Sequence, residues 1–348
     1  MPKKLQTAII GYGKVGKIRR ECIERHPDLE LIAICDIDAS LPPSNWSKVF
    51  RDWREVLNLA PDIVFVCTTN ECIPEIAIAA LKRGIHTFCE KPPGRTVLDI
   101  QKIREVEQCS EGVKLMFGFN HRYHQSIMDA KALVDRGHLG KILWARGVYG
   151  KAGGPGFDKN WRNDPSRSGG GVLIDQGIHM LDLLLWFCGP FQEVKSMVGQ
   201  AYWNIPVEDN AFAIMRNSQG ITAMLHSSAT QWQHTFLLEI CLEKGHLTAS
   251  GILSSTRSYG RESLRIAQCL FDEEGYPLPN PHESIDYYDE DKSWELEVKE
   301  FIQCIKTSQP VKKGTSENAL QAMEMVHLIY AGDAQWNPQA DYSAKVKM

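Results

Sequence analysis

The stretch "LQTAIIGYGKVGKIRRECIERHPDLELIAICDID", Leu5 to Asp38, decides the fold. Ala8, Ile9 and Ile10 read as a short apolar strand. Gly11, Gly13 and Gly16 follow in the spacing G-x-G-x-x-G. Lys17 to Arg25 reads as a helix, and Leu31 to Cys35 as a second apolar strand closed by Asp36. Each glycine has a physical role. Gly11 permits a tight turn, Gly13 lets the backbone approach a pyrophosphate, and Gly16 lets the helix pack closely on the strand. The helix start offers free N–H groups and a positive dipole end to phosphates. Gly11, Tyr12, Gly13, Lys14, Val15 and Gly16 are therefore the candidate phosphate-binding residues.

The acid that ends the second strand extends this reading. Asp36 suits the adenine-ribose hydroxyls, and a carboxylate there repels a 2′-phosphate, which favours NAD over NADP. Asp38 is a weaker alternative, and Arg19 and Arg20 lie inside the helix, where they serve a 2′-phosphate poorly. The alternation continues through strands in "PDIVFVCTTN" (61–70), "IHTFCEKP" (85–92) and "VKLMFGFN" (113–120), with helices between them. Such alternation implies a doubly wound parallel sheet with right-handed crossovers, whose ligands bind beyond the carboxyl ends of the strands. Thr68, Thr69, Asn70, Glu90, Lys91, Phe119 and Asn120 fall at those ends. In "EKPPG" (90–94), Pro92 disfavours helical geometry at Lys91, so the lysine is read as a site residue at the sheet edge rather than as a solvated turn lysine.

Composition narrows the classes. The chain has 348 residues, enough for about two domains. It is 43% hydrophobic and 24% charged, with a formal net charge of −4. That balance speaks against general nucleic-acid binding and against anionic membrane surfaces. The longest apolar run, Leu183 to Cys188, is too short to span a bilayer. Ten cysteines occur with no C-x-x-C pair, and several lie inside strand-like runs. They read as reduced, buried thiols of a cytoplasmic protein, and no cluster has the spacing of a metal site.

After His121 the pattern changes. A helix in "HQSIMDAKALVDRGHLG" and a strand in "KILWARGVYG" (141–150) lead into a glycine-rich polar segment, 151–171. A loop of that length is usually functional or disordered. Around it stand Tyr149, Lys151, Lys159, Trp161, Arg162 and Arg167, aromatic faces and cationic donors that suit a polyhydroxylated or phosphorylated ligand. Next comes "GGGVLIDQGIHMLDLLLWF" (169–187), an apolar helix that places Asp175 and His179 at i and i+4, on one face. Polar groups facing a core without partners cost several kcal/mol, so the pair is read as facing a cleft. The segment 277–292 reads as irregular surface, and the two last helices as packing elements.

Taken together, "GYGKVG" (11–16), "EKP" (90–92), "GFNHRY" (118–123), "GGGVLIDQGIHMLD" (169–182) and "VEDNAFAIM" (207–215) resemble the Gfo/Idh/MocA oxidoreductases. The resemblance spans nearly the whole chain. It implies an N-terminal Rossmann domain, 1–120, and a C-terminal α/β domain with a large, mostly antiparallel open sheet, 121–348. It implies Lys91, Asp175 and His179 as the catalytic residues; Arg122 and, from around the polar segment, Tyr149, Trp161 and Arg162 are the further candidates for the substrate. A histidine common in relatives after the turn at 67 is missing from "TTNECIP". The activity implied is NAD-dependent hydride transfer involving a secondary alcohol of a sugar or sugar derivative, nucleotide-activated sugars included. An inositol dehydrogenase, an NAD-dependent glycosidase working by transient oxidation, and a non-catalytic NAD sensor are the alternatives. The partners implied are the small-molecule substrate and further copies of the chain, as a homodimer or homotetramer.

Overall fold

The computed structural model describes residues 3–38, 48–254 and 256–336; the outer limits of the two expected domains, residues 1 and 348, lie outside them. The first part runs β1 (Leu5–Ile10), α1 (Lys14–Arg25), β2 (Leu29–Cys35), β3 (Lys48–Phe50), α2 (Trp53–Asn58), β4 (Ile63–Val66), α3 (Ile73–Leu81), β5 (His86–Glu90), α4 (Val97–Gln108) and β6 (Leu115–Gly118). All six strands pair in parallel, in the order β3-β2-β1-β4-β5-β6. The order reverses at β1, and the crevice beside it is where such sheets take ligands. Every residue of β4 is fully buried, as a strand covered on both faces requires. The helix after the glycines starts at Lys14, three residues earlier than the pattern suggested. Gly16 is what lets it start there: a Cβ on it would stand 2.1 Å from the Gly11 carbonyl oxygen. Gly11 itself has φ +92°, and a side chain there would strike the Cys67 carbonyl at 2.5 Å.

The second part runs α5 (Gln125–Asp135), β7 (Ile142–Ala152), α6 (Pro165–Ser168), α7 (Ile178–Cys188), β8 (Phe191–Gly199), β9 (Asn210–Asn217), β10 (Thr222–Ser228), β11 (Thr230–Leu242), β12 (Gly245–Ser250), β13 (Glu262–Gln268), β14 (Glu283–Tyr288), α8 (Ser293–Thr307) and α9 (Ser316–Ala331). Its eight strands pair in the order β14-β13-β12-β11-β7-β10-β9-β8, antiparallel except for β10 beside β7. β14 lies within the segment expected to be irregular; all of it but Tyr288 is exposed, so no buried apolar face announced it.

One face of this second sheet is covered by α7 and α9, and Leu173, Ile174, Met180, Leu181 and Leu184 are essentially inaccessible there. The helical run Pro165–Cys188 is apolar and long enough to cross a membrane by length and composition, but 89% of its most apolar window is buried inside the protein. The other face is open. Met197 stands opposite Phe212, and Ile214 opposite Met224, and all four are exposed.

α8 returns to the first sheet. Val298, Phe301 and Ile302 pack with Ile9, Phe65 and Phe88 into one cluster. At its heart the fully buried Arg19 guanidinium binds Glu90 at 2.7 Å and Glu297 at 2.6 Å, over the rings of Phe88 and Trp294.

Candidate active site

A cleft of about 1050 Å³ runs from the glycine turn, along the carboxyl ends of β1, β4 and β5, to the π-turn before α7. That is at the upper end of the ~300–1,000 Å³ typical of small-molecule sites. Its first half fits a dinucleotide. Gly13 presents an open Cα, with nothing within 4 Å of where a Cβ would stand. The N-terminus of α1 has no side-chain cap, so its N–H groups remain available to an anion. Gly11, Gly13, Lys14, Val15, Thr68 and Thr69 line this half. Asp36 also lines it, its carboxylate held by the backbone N–H groups of Tyr12 at 2.5 Å and Asp38 at 2.9 Å. Gly16 and Tyr12 act from behind: Gly16 through the packing of α1, and Tyr12 by turning its hydroxyl to Arg20.

The second half gathers the polar groups of the apolar helix. Leu173–Gly177 forms a π-turn that passes into α7 at Ile178. The simple i, i+4 face drawn from the sequence is therefore distorted at Asp175, as π-turns at functional sites often are. Three cations surround the Asp175 carboxylate: Arg162 Nε at 3.1 Å, Lys91 Nζ at 3.7 Å and Lys151 Nζ at 3.8 Å. Lys91 also donates a hydrogen bond to the Asp175 carbonyl oxygen. Burial works against the charge on Asp175, but the three cations outweigh it and hold its carboxyl well below the usual range. Burial lowers the Lys91 ammonium from its ordinary value, with Asp175 opposing and Arg162 and Lys151 adding to the shift.

His179 is 6% exposed and lies on His121 with ring centroids 3.8 Å apart and planes 20° from parallel. Burial, then the neighbouring histidine and Lys91, push His179 far below the ordinary histidine value, and burial does the same to His121. Both rings are therefore neutral at physiological pH. His179 Nδ1 is buried without a hydrogen-bond partner among the described residues, which leaves Nε2 as the nitrogen for a substrate. Tyr149 is buried beside His121 and Tyr259, while Trp161 stacks under the Arg162 guanidinium at 4.6 Å.

Comparison with known proteins agrees with this architecture. Residues 5–119 match the family model described as an oxidoreductase family with an NAD-binding Rossmann fold, and residues 127–248 match the Gfo/Idh/MocA C-terminal domain. The chain belongs to the Gfo/Idh/MocA oxidoreductase family. Within that family it is 31% identical to D-glucoside 3-dehydrogenase of Escherichia coli (strain K12) over 255 residues, 68% of this chain and 71% of that protein. It is 24% identical to inositol 2-dehydrogenase of Salmonella paratyphi B over 69% of this chain and 72% of that protein. Levoglucosan dehydrogenase in complex with NADH shares the fold, with a TM-score of 0.84 at 19% identity over 95% of this chain and 97% of that one. The Gfo/Idh/MocA chain is thus an NAD-dependent oxidoreductase; five strands of its six-stranded Rossmann sheet are read from the sequence and β3 is not, and the mostly antiparallel second sheet is the one the resemblance implies.

Most residues singled out in the sequence meet in the cleft: Lys91, Asp175, His179, Tyr149, Trp161 and Arg162 at one end, and the glycine turn with Asp36 at the other. Arg122 is a correction. Rather than contacting substrate, it is 3% exposed and holds Asp182 at 2.7 and 2.6 Å, because an arginine at a buried helix junction needs a carboxylate partner. Glu90, Asn70 and Asn120 reach the cleft, but their side chains already have partners: Arg19, the Ser168 carbonyl and the Ser293 hydroxyl respectively. Sequence reasoning missed His121 as a cleft residue. Its signal was its position, directly after a strand end and beside Asn120.

Proposed function

We propose that this chain is an NAD-dependent dehydrogenase that oxidises a secondary alcohol of a sugar or sugar derivative, or reduces the corresponding ketone. The observation that carries this is the convergence of Lys91, Asp175 and His179 at the end of a dinucleotide-shaped cleft. The relatives named for glucoside, inositol and levoglucosan chemistry support the substrate class. Gly13, the N-terminus of α1 and Asp36 would hold NAD, which supplies the hydride acceptor when bound. The chain's own residues do the rest. His179 Nε2 takes the hydroxyl proton as general base. The Lys91 ammonium stabilises the charge that develops on the same oxygen. Asp175 fixes Lys91 through its carboxylate and carbonyl oxygen. Tyr149 and Trp161 form apolar walls for the sugar ring.

The free cysteines among the described residues suit a reducing cytoplasm, where we place the enzyme. The exposed apolar face of the second sheet suits a homodimer or homotetramer.

The test is a substrate screen with purified protein, supplying NAD and NADP separately. Free sugars, glycosides, inositols and nucleotide sugars are followed by NADH absorbance and by product analysis, with Lys91→Ala as the control. NAD-dependent turnover that falls by about 10²–10⁴-fold in the variant supports the reading. Glycoside cleavage without accumulating NADH replaces it with the glycosidase alternative. Tight NAD binding with no product from any substrate replaces it with the sensor.

A further inference from the structure

We infer that the substrate carries a negatively charged group, a carboxylate or a phosphate, held by Lys151 and Arg162. The inference rests on the dehydrogenase reading and narrows its substrate class. It starts from an imbalance of charge. Lys91, Lys151 and Arg162 approach one carboxylate, Asp175, at 3.7, 3.8 and 3.1 Å. The neighbouring charges cancel among themselves. Arg167 binds Glu71 at 3.0 Å, Arg19 binds Glu90 and Glu297, whose carboxyl is pushed up to about 8 by burial, and Asp289 binds Arg261; Arg257 and Asp291, also in the cleft wall, add one charge of each sign. The two histidines of the pair are neutral. The reacting end of the cleft therefore holds two positive charges more than negative ones. Unbalanced charge in a partly desolvated cleft is costly, and it focuses an attractive field on anions.

Geometry assigns the surplus. Lys91 is tied to the Asp175 carbonyl oxygen and serves the reacting oxygen. Lys151 stands 3.8 Å from the carboxylate, with its side chain 34% exposed. Arg162 engages Asp175 through Nε, leaving its paired Nη edge, the one that matches a carboxylate or phosphate, for another acceptor. Its side chain is 40% exposed, and Trp161 beneath the guanidinium fixes its plane. Lys151 is the penultimate residue of β7 and Arg162 lies in the short turn Trp161–Asn163, so the two donors reach Asp175 from different elements. A neutral sugar leaves both cations with nothing but the carboxylate they already share. A sugar acid or sugar phosphate completes the balance.

The test uses the enzyme saturated with NADH, so that anions do not compete for the dinucleotide half. Titration calorimetry compares matched probes: D-glucuronate and D-gluconate against D-glucose, D-glucose 6-phosphate against D-glucose, and a nucleotide diphosphate sugar. Turnover with NAD is measured on the same set. The expected result is that an anionic probe binds roughly tenfold or more tightly than its neutral counterpart, with an affinity that falls as salt rises. In Lys151→Gln and Arg162→Gln the ratio of kcat/KM between the anionic and neutral members is expected to fall toward one. The carboxylate and phosphate arms separate the two chemistries. Equal binding of neutral and charged probes, a charge preference that survives both substitutions, or no binding by any anion overturns the inference. If neutral sugars are oxidised in that case, the dehydrogenase reading stands without it. If anions bind through Lys151 and Arg162 but no probe is turned over, the dehydrogenase reading fails instead.

Discussion

At the residue scale, the site is set by what burial does to ordinary side chains. His179 and His121 are pressed together away from water, so neither holds a proton readily at neutral pH. A base must be unprotonated before it can act, and His179 is unprotonated well below pH 6.5. Alcohol oxidation by the wild type should therefore show kcat/KM rising on the acid side and already level at about pH 6.5. In His179→Ala that acid limb should vanish along with most of the rate. If the rate instead keeps climbing through alkaline pH and the limb survives the substitution, Lys91, also lowered by burial, is the base. The sequence made His179 and Lys91 legible because each sits in a motif with a chemical rationale. Arg122 was misread for a physical reason: its partner Asp182 is 60 residues away, and a contact at that separation leaves no local mark.

At the element scale, the glycines before α7 show why a motif outlives its simplest geometric reading. A Cβ on Gly171 would stand 2.1 Å from the Glu208 carbonyl oxygen, while the Glu208 carboxylate accepts from the N–H groups of Gly171 and Leu173. That clamp accompanies a π-turn at Asp175, which a count of three and four residues does not foresee. α8 was legible as an amphipathic packing helix, but not its destination, since periodicity says which face is buried and never against what. Its Glu297 shares the single cation Arg19 with Glu90. Burial, only partly offset by Arg19, pushes its carboxyl up to about 8. A carboxyl raised on folding stabilises fully below its unfolded value of about 4.3, and that contribution is lost as pH rises through about 8. Melting temperatures between about pH 6 and pH 9 should therefore decline more in the wild type than in Glu297→Gln, which keeps the shape without the titrating proton. Parallel declines would show that Glu297 is ionised throughout.

At the scale of the whole molecule, alternation of strands and helices made the first sheet readable almost strand by strand. The second sheet came from family resemblance more than from pattern, because its central strand β7 pairs out of order, with β10 and β11, and its edge strand β14 is largely exposed. Its open face carries Met197, Phe212, Ile214 and Met224 side by side. Contiguous apolar surface of that kind marks an interface. The double variant Phe212→Lys, Ile214→Glu should lower the mass measured by light scattering to that of a single chain while leaving the far-UV spectrum intact. A wild type that already runs as a single chain refutes the oligomer. The return of α8 to the first sheet has a consequence for how the protein is made. Phe301 and Glu297, which complete the underside of β1, β4 and β5, come long after these strands in the chain, Glu297 278 residues after Arg19. The segment that holds the nucleotide cradle is synthesised before the helix that completes it: until then Arg19 waits without one of its two carboxyl partners, and the sheet with one side uncovered.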